Sequence, residues 1–181
     1  MKRLGHVRSG NRWWAGGLLG LSWLLSGLPA SAAMEEAEVK AAIVYNLLQF
    51  LEWPDAPVGN AFVLCLRPAS ELIGPMQKLS GQPVRGAVLE VRPLAPGDAR
   101  GCQVAYADGT EAERAQLARR FRSEAMTLVI ADRAVVMDES TAIQLRWVDN
   151  KIAFDVNMAA VRRAGAQVSS KILRLAKVVR E

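Results

Sequence analysis

The chain has 181 residues, with 23 lysines and arginines, 18 acids and one histidine. Four of the basic residues and the histidine, His6, lie in the first 32 residues, so the remainder has 19 basic and 18 acidic side chains. A nearly neutral remainder argues against a nucleic-acid partner. The remainder also contains no histidine, which excludes Ser-His-Asp and Cys-His catalysis and histidine-containing metal sites. We therefore expect neither an enzyme nor a cofactor.

Residues 1–32 have the order of a secretory signal peptide. A basic start is followed by the uncharged run WWAGGLLGLSWLLSGLPA and then by small residues. This run is shorter than the roughly 20 apolar residues that a membrane span needs. We expect cleavage after Ala32 or Ala33, export of the protein, and one domain over residues 33–181. An uncleaved N-terminal anchor is the alternative.

An amphipathic helix is predicted over residues 34–53. Its apolar residues fall mainly at intervals of three and four. Pro54 limits the helix, because the residue before a proline is pushed out of the helical conformation. The next run, residues 61–67, is almost wholly apolar, as in a central strand covered on both faces.

The middle of the chain alternates between helical and strand-like segments. Ser70 is expected to cap a weak helix over residues 71–79. Thr110 and Glu113 have the spacing of a capping box that opens another helix. The remaining predictions here are strands over residues 87–92, 102–108 and 126–132 and a helix over residues 111–122.

The last third of the chain predicts a hairpin and two helices. Strands over residues 142–148 and 151–157 flank Asp149-Asn150, a typical two-residue turn. Gly165 is expected to end the first of the two helices. In the second helix, one face would be apolar and packed on the sheet, with the basic residues in solvent. The apolar face would comprise Val168, Ile172, Leu175, Ala176 and Val179, and the basic face Lys171, Arg174, Lys177 and Arg180.

This order of elements predicts a single three-layer α/β domain, with a mixed β-sheet flanked by helices, a late β-hairpin and a C-terminal helix. Cys65 and Cys102 are the only cysteines. Because disulfides persist in exported proteins, we expect one Cys65–Cys102 bridge. Two separate buried thiols are the alternative, and the lack of C-x-x-C spacing disfavours a catalytic redox pair.

Two segments together resemble a known family. The first is KAAIVYNLLQFLEWP, residues 40–54, and the second has the form F-x-V-N-x-x-x-x-x-x-A-G-x-x-x-S-S-K-I-L-x-L-A, residues 154–176. The chain looks like a member of the YfiR/HmsC-like family of exported proteins of Gram-negative bacteria. One departure is Ala166, where family members commonly have leucine.

The resemblance implies a periplasmic α/β protein without catalytic activity. The best-known members repress an inner-membrane diguanylate cyclase by binding its periplasmic sensor region. Relief of this repression raises cyclic di-GMP and promotes biofilm formation. The resemblance thus predicts such a cyclase as partner, and an outer-membrane lipoprotein and a second copy of the chain as further possible partners. A small-molecule sensor without a cyclase partner, using a crevice at the sheet edge, is the alternative.

Several residues have both a functional and a structural interpretation. Trp53 and Pro54 could anchor a partner, or Trp53 could fold over the edge of the core. In Tyr45-Asn46 we expect the asparagine amide to be satisfied by a buried hydrogen bond. Asp132, Asp138 and Glu139 could bind a cation, but they lack the spacing of a Ca²⁺ loop and are assigned to a solvated acidic loop.

The C-terminal motif is expected to be structural. Asn157 is predicted to be an N-cap. Ser169, Ser170 and Lys171 contain the groups of a Ser-Lys nucleophile, but consecutive helical residues do not face one another, so Ser169 is assigned as a second N-cap. Arg174 and Lys177, on the basic face, are candidates for binding an acidic partner or an anionic membrane surface.

Overall fold

A computed structural model describes residues 30–54, 59–94, 100–122, 124, 126–133, 137, 139–149 and 151–181. The predicted leader lies almost wholly outside these residues, as do Asp138 and Asn150. The helices are α1 (Ala30–Leu48), α2 (Ile73–Lys78), α3 (Glu111–Arg122), α4 (Met158–Arg163) and α5 (Ser170–Leu175). The strands are β1 (Leu51–Glu52), β2 (Ala61–Leu66), β3 (Pro83–Val84), β4 (Ala87–Pro93), β5 (Val104–Ala107), β6 (Leu128–Asp132), β7 (Thr141–Val148), β8 (Lys151–Asn157), β9 (Gln167–Val168) and β10 (Val179–Arg180).

Eight of these strands form one mixed sheet in the order β10-β8-β7-β6-β5-β2-β4-β3. The central strands β4, β2, β5, β6 and β7 are parallel, and β7 and β8 form the predicted antiparallel hairpin. The predicted α/β domain with a mixed, helix-flanked sheet is therefore confirmed. The short β1 and β9 pair separately as a two-stranded antiparallel sheet.

Alternate residues of the central strands enter two different cores. On β2, Leu64 and Leu66 belong to the larger core with α1, α2, α4 and α5, whereas Val63 and Cys65 belong to a smaller core under α3. This alternation follows from the period of two along a strand. Helices thus cover both faces of the sheet, which explains why β2 is apolar throughout.

The Cys65–Cys102 disulfide lies in the smaller core. The two Cα atoms are 5.8 Å apart, within the usual range for a bridge. Both cysteines are buried. The structure therefore contains the predicted bridge, which ties β2 to the loop two residues before β5, the adjacent parallel strand.

The first helix is shorter at its C-terminal end than predicted. It ends at Leu48, and the N–H groups of Gln49 and Phe50 donate to the carbonyl oxygens of Asn46 and Leu47 in tight turns. Leu51 then pairs with β9 instead of continuing the helix. The prediction that the helix runs to Trp53 is wrong, because long-range pairing satisfies the backbone there.

Two further predictions differ from the structure. The second helix covers only Ile73–Lys78, and Ser70 is not its N-cap, which is Leu72. The Ser70 hydroxyl instead accepts from the Leu72 N–H and donates to Asp108. The structure also has the short strand β3, which the sequence did not predict.

The last helix is also shorter than predicted. Ala176 is extended, and the N–H of Lys177 donates to the Phe154 carbonyl oxygen, which starts the approach of β10 to β8. Ile172 is buried as expected, but Leu175 is 69 % exposed and Val179 lies in β10. Val168 lies in β9 before the helix, so the predicted continuous apolar stripe is wrong on both sides of Ile172.

Candidate functional site

A crevice of about 520 Å³ lies where β2, β5 and β6 end. Chain order reverses here, since β4 lies on one side of β2 and β5 on the other. The two crossover helices, α2 and α3, accordingly pack into the cores on opposite faces of the sheet. In such doubly wound sheets, the carboxyl ends of the strands at the point of reversal form the usual ligand crevice.

The residues that follow or end these strands line the crevice. They are Arg67 after β2, Asp108 after β5 and Asp132 at the end of β6. Strand ends at the same edge of a parallel sheet meet in space, so residues far apart in sequence converge here. Helices α1 and α3 supply the walls, through Lys40 and Glu113 respectively.

Lys40 forms a buried ion-pair cluster at one wall. Its side chain is 2 % exposed, and its Nζ lies 2.7 Å from both Glu36 Oε1 and Asp132 Oδ2. Arg133 also pairs with Glu36. Asp132 is thus buried and paired, so its assignment to a solvated loop is wrong. A charge this deeply buried is compatible with the fold only because it is paired.

Arg67 organises the opposite wall. Its guanidinium lies 2.7 Å from Glu113 Oε1 and 3.2 Å from Asp108 Oδ1. Asp108 Oδ2 accepts a 2.6 Å hydrogen bond from Ser70. Gly109 has φ +92°, and a Cβ there would lie 2.2 Å from Arg67 Nη2. The positive φ therefore favours glycine here, and a larger residue would also displace the Arg67 guanidinium.

The predicted capping box contributes directly to this wall. The Thr110 N–H donates to Glu113 Oε2 at 2.7 Å, and the Thr110 hydroxyl accepts from the Glu113 N–H. Hydrogen bonds from the backbone and hydroxyl of Thr110, with a smaller contribution from Arg67, lower the pKa of Glu113. Glu113 therefore caps α3 and also pairs with the arginine at the crevice.

Tyr106 lies behind the crevice on β5. Its side chain is fully buried, and its hydroxyl lies near the Asp132 carboxylate but has no partner with the geometry of a full hydrogen bond among the described residues. Burial raises the pKa of Tyr106 well above its ordinary value, and the nearby carboxylates of Asp132, Asp108 and Glu71 raise it further. The crevice is therefore backed by a neutral phenol.

The basic groups of the crevice are paired with its carboxylates. Lys40 and Arg67 each contact two carboxylates, so neither is a free cation. Within the described part of the chain, no group of three His, Cys, Asp or Glu is placed to hold a metal ion. The arrangement offers a polar recess for a small molecule.

Sequence reasoning missed Lys40, Arg67 and Asp108. A signal for Lys40 was present, because it lies three residues after Ala37 and four before Val44, both of which are buried. A lysine in line with an apolar stripe predicts a buried partner. Arg67 and Asp108 carried a weaker signal, since each directly follows an apolar strand.

Trp53 and Pro54 lie at a different place. The Trp53 Nε1–H donates to the Ala164 carbonyl oxygen at 3.0 Å, and its ring packs edge-on against Phe62 with centroids 5.6 Å apart. Trp53 therefore folds over the edge of the core. Pro54 is exposed. Both residues line a second cleft of about 290 Å³.

The Tyr45-Asn46 pair is only partly as predicted. The Tyr45 hydroxyl donates to the Pro83 carbonyl oxygen at 2.8 Å, which ties α1 to β3. Asn46, however, is exposed. The prediction of a buried asparagine amide is wrong, because Asn46 lies on the solvent side of α1.

The C-terminal motif forms helix caps and a turn. The Asn157 side chain accepts from the Ala160 N–H at 3.2 Å, and Ser169 Oγ accepts from the Lys171 N–H at 3.4 Å. Gly165 has φ +63° and follows α4, as a C-terminal glycine does. Ser170 is exposed and begins α5. Ser169 is thus used as a cap.

The two segments that carry the family resemblance meet in the structure. Leu51 pairs with Val168, and the Ser169 N–H donates to the Phe50 carbonyl oxygen at 3.1 Å. The Trp53 hydrogen bond to Ala164 adds a side-chain contact beside Gly165. These segments therefore pack against each other at the joint between β1 and β9.

Arg174 and Lys177, the remaining predicted residues, are both exposed, together with Lys171 and Arg180. Three apolar side chains between them, Leu175, Val178 and Val179, are exposed as well. We call these seven residues the C-terminal surface. It is separate from the crevice, because none of its residues lines it.

These features define a doubly wound α/β protein with a polar crevice at the point of strand reversal. A sequence model of the YfiR/HmsC-like family matches residues 37–177, and the chain therefore belongs to this family. The match includes both halves of the joint between β1 and β9. The family is known for periplasmic regulators of diguanylate cyclases.

No curated protein sequence matches the chain. Among the described residues, no helix has both the length and the apolar character of a membrane span.

Proposed function

We propose that the protein is a periplasmic regulatory binding protein that inhibits an inner-membrane diguanylate cyclase through the periplasmic region of that enzyme. The family match over residues 37–177 carries this proposal. It is supported by a crevice whose charged groups are paired with one another rather than poised for catalysis. By this role the protein would hold cyclic di-GMP low and restrain biofilm formation.

Deletion of the gene tests the regulatory role. Cyclic di-GMP and biofilm mass should both rise, and a plasmid copy should restore them. A second deletion, of the cyclase that copurifies with the protein, should abolish the rise. Unchanged cyclic di-GMP in the single deletion would remove the basis for the proposal.

Crosslinking in periplasmic extracts and membranes identifies the partner directly. We expect an inner-membrane protein with a periplasmic segment and a cytoplasmic cyclase domain. An outer-membrane lipoprotein that sequesters the protein and a homodimer are further proposed assemblies, recognised in the same experiment by their mass. Recovery of the protein without any membrane partner would contradict the regulatory role.

The proposed location requires that the leader be removed. The mature protein should begin at Ala33 or Met34 and be released by osmotic shock. Intact mass measurement distinguishes this product from an uncleaved, membrane-anchored chain. Detection of residues 1–32 in the released protein would contradict cleavage.

A second candidate function is that of a small-molecule sensor, which the crevice favours by its volume and its place in the sheet. A ligand of the folded state should raise the thermal midpoint in a screen of polar metabolites. Ala69 is exposed and lines the crevice, so Ala69→Trp should abolish the shift by filling it. Gln116→Trp, on the exposed side of α3, is the matched control and should retain the shift.

A further inference from the structure

The C-terminal surface combines exposed apolar and basic side chains. Leu175, Val178 and Val179 are 69 %, 38 % and 41 % exposed. On α5, Lys171, Arg174 and Leu175 share one face, because residues three and four apart are neighbours on a helix. Ile172, one turn before Leu175, is buried, whereas Leu175 at the end of α5 is not. Leu175 is presented to solvent beside the two basic residues.

Charge is distributed unevenly along the chain. Residues 156–180 contain six basic side chains and no acid, whereas residues 33–155 contain 13 basic and 17 acidic ones. Two of the six are occupied, since Arg162 pairs with Glu181 and Arg163 donates to the Glu139 carbonyl oxygen. The other four belong to the C-terminal surface and have no ion-pair partner among the described residues.

The surface lies at one edge of the large sheet. Strand β10 is the last strand on that side and pairs only with β8. The opposite edge is formed by β3, next to α2 and β4. The exposed apolar and basic side chains thus lie within residues 171–180, on α5 and on the edge strand that follows it, whereas residues 33–155 carry a net negative charge.

We propose that the C-terminal surface binds anionic phospholipid membranes. Basic side chains are attracted to lipid phosphates, and exposed aliphatic side chains beside them can enter the boundary between head groups and acyl chains. An acidic protein partner would account for the four basic residues. It would not account for the three exposed aliphatic side chains that lie between them. The proposal goes beyond regulation of a cyclase and does not require it.

Cosedimentation of the mature protein with protein-free vesicles tests the proposal. The protein should bind vesicles of phosphatidylglycerol and phosphatidylethanolamine, and bind phosphatidylcholine vesicles at least tenfold more weakly. Each basic residue near an anionic surface contributes about a fivefold factor in partition coefficient. Arg174→Gln/Lys177→Gln should therefore lower binding by about 25-fold. Leu175→Ser should lower it by roughly tenfold, through loss of apolar burial.

The double variant Arg119→Gln/Lys151→Gln is the matched control. It removes the same charge from exposed positions on α3 and β8 that also have no ion-pair partner among the described residues, and it should change binding less than about twofold. All substituted side chains are exposed, so the thermal midpoints should agree, which separates binding from folding. Equal binding to neutral vesicles, no binding to either, or an equal loss in the control variant would overturn the proposal. The proposal would also be overturned if the wild type did not bind vesicles and the C-terminal variants instead lost crosslinking to a protein partner.

Discussion

Breaking the Cys65–Cys102 bridge should lower the free energy of unfolding by about 4 kcal/mol. The bridged residues are 37 positions apart, and the loop-entropy relation gives that value for a loop of this length. Because both cysteines are buried in the core under α3, we expect the folded state to keep its structure while the unfolded chain gains freedom. A change of this size corresponds to a fall of roughly 10 °C in the thermal midpoint.

Urea unfolding of the Cys65→Ala/Cys102→Ala variant measures the effect. Alanine is preferred to serine, since a buried hydroxyl would add a desolvation penalty of its own. The wild type in reducing agent serves as a second reference, and the two should agree within about 1 kcal/mol if packing losses are small. The loop-entropy reasoning would be refuted if both lost less than about 1 kcal/mol. Loss of repression in both, with stability unchanged, would instead assign the bridge a regulatory role.

Further predictions concern single side chains. Lys40→Met should cost about 3–5 kcal/mol in urea unfolding, because Asp132 would stay buried without its partner, and the Lys40→Met/Asp132→Leu variant should recover much of the loss. Tyr106→Phe should remain within about 1 kcal/mol of the wild type, since the deleted hydroxyl has no partner with the geometry of a full hydrogen bond among the described residues. The raised pKa of Tyr106 stabilises the fold below pH about 10, and this stability is lost as the pH rises further, so the wild type should lose more stability than the phenylalanine variant in alkaline solution. Asn157→Ala should cost about 1 kcal/mol and Asn157→Gly only a few tenths, as measured by thermal unfolding. Trp53→Phe keeps an aromatic ring but loses the hydrogen bond to the backbone, and should cost about 1 kcal/mol in the same assay.

The elements predicted most accurately depend on local signals. Helix α3 begins at Glu111 and ends at Arg122 as expected, because Thr110 and Glu113 satisfy its first N–H groups without help from the rest of the fold. Strand β2 is central as expected, since an uninterrupted apolar run can be buried only between two layers. For both elements, a few consecutive residues are enough to explain why the element forms.

Elements that end through distant contacts were predicted less well. The apolar period of α1 continues beyond Leu48, yet the chain leaves the helix there to pair Leu51 with Val168. Val168 lies more than a hundred residues away, so the residues near Leu51 in the sequence do not show that the helix ends there. Propensity is a weak prior where tertiary pairing competes with it.

The crevice was beyond single-sequence reasoning for a related reason. Its position depends on which side of β2 each later strand is placed, and the sequence does not state that order. Arg67, Asp108 and Asp132 each looked like the polar end of a separate strand. Only the reversal between β2 and β5 makes them neighbours, and only then does the buried Lys40 acquire its partner.

At the end of the chain, apolar residues with helical spacing are partly buried and partly exposed. Ile172, Leu175 and Val179 have helical spacing, which would bury all three if the helix continued. Helix α5 instead ends at Leu175, and Lys177 and Val178 hydrogen-bond along β8, so the chain turns into an edge strand. An edge strand has only one neighbour, and Val179 is consequently left in solvent beside Leu175. Exposed aliphatic side chains at a sheet edge favour association unless they are covered or charged, and here four basic residues accompany them. The same positive charges that discourage pairing with a second copy attract an anionic surface, which is why the C-terminal surface is better suited to a membrane than to self-association.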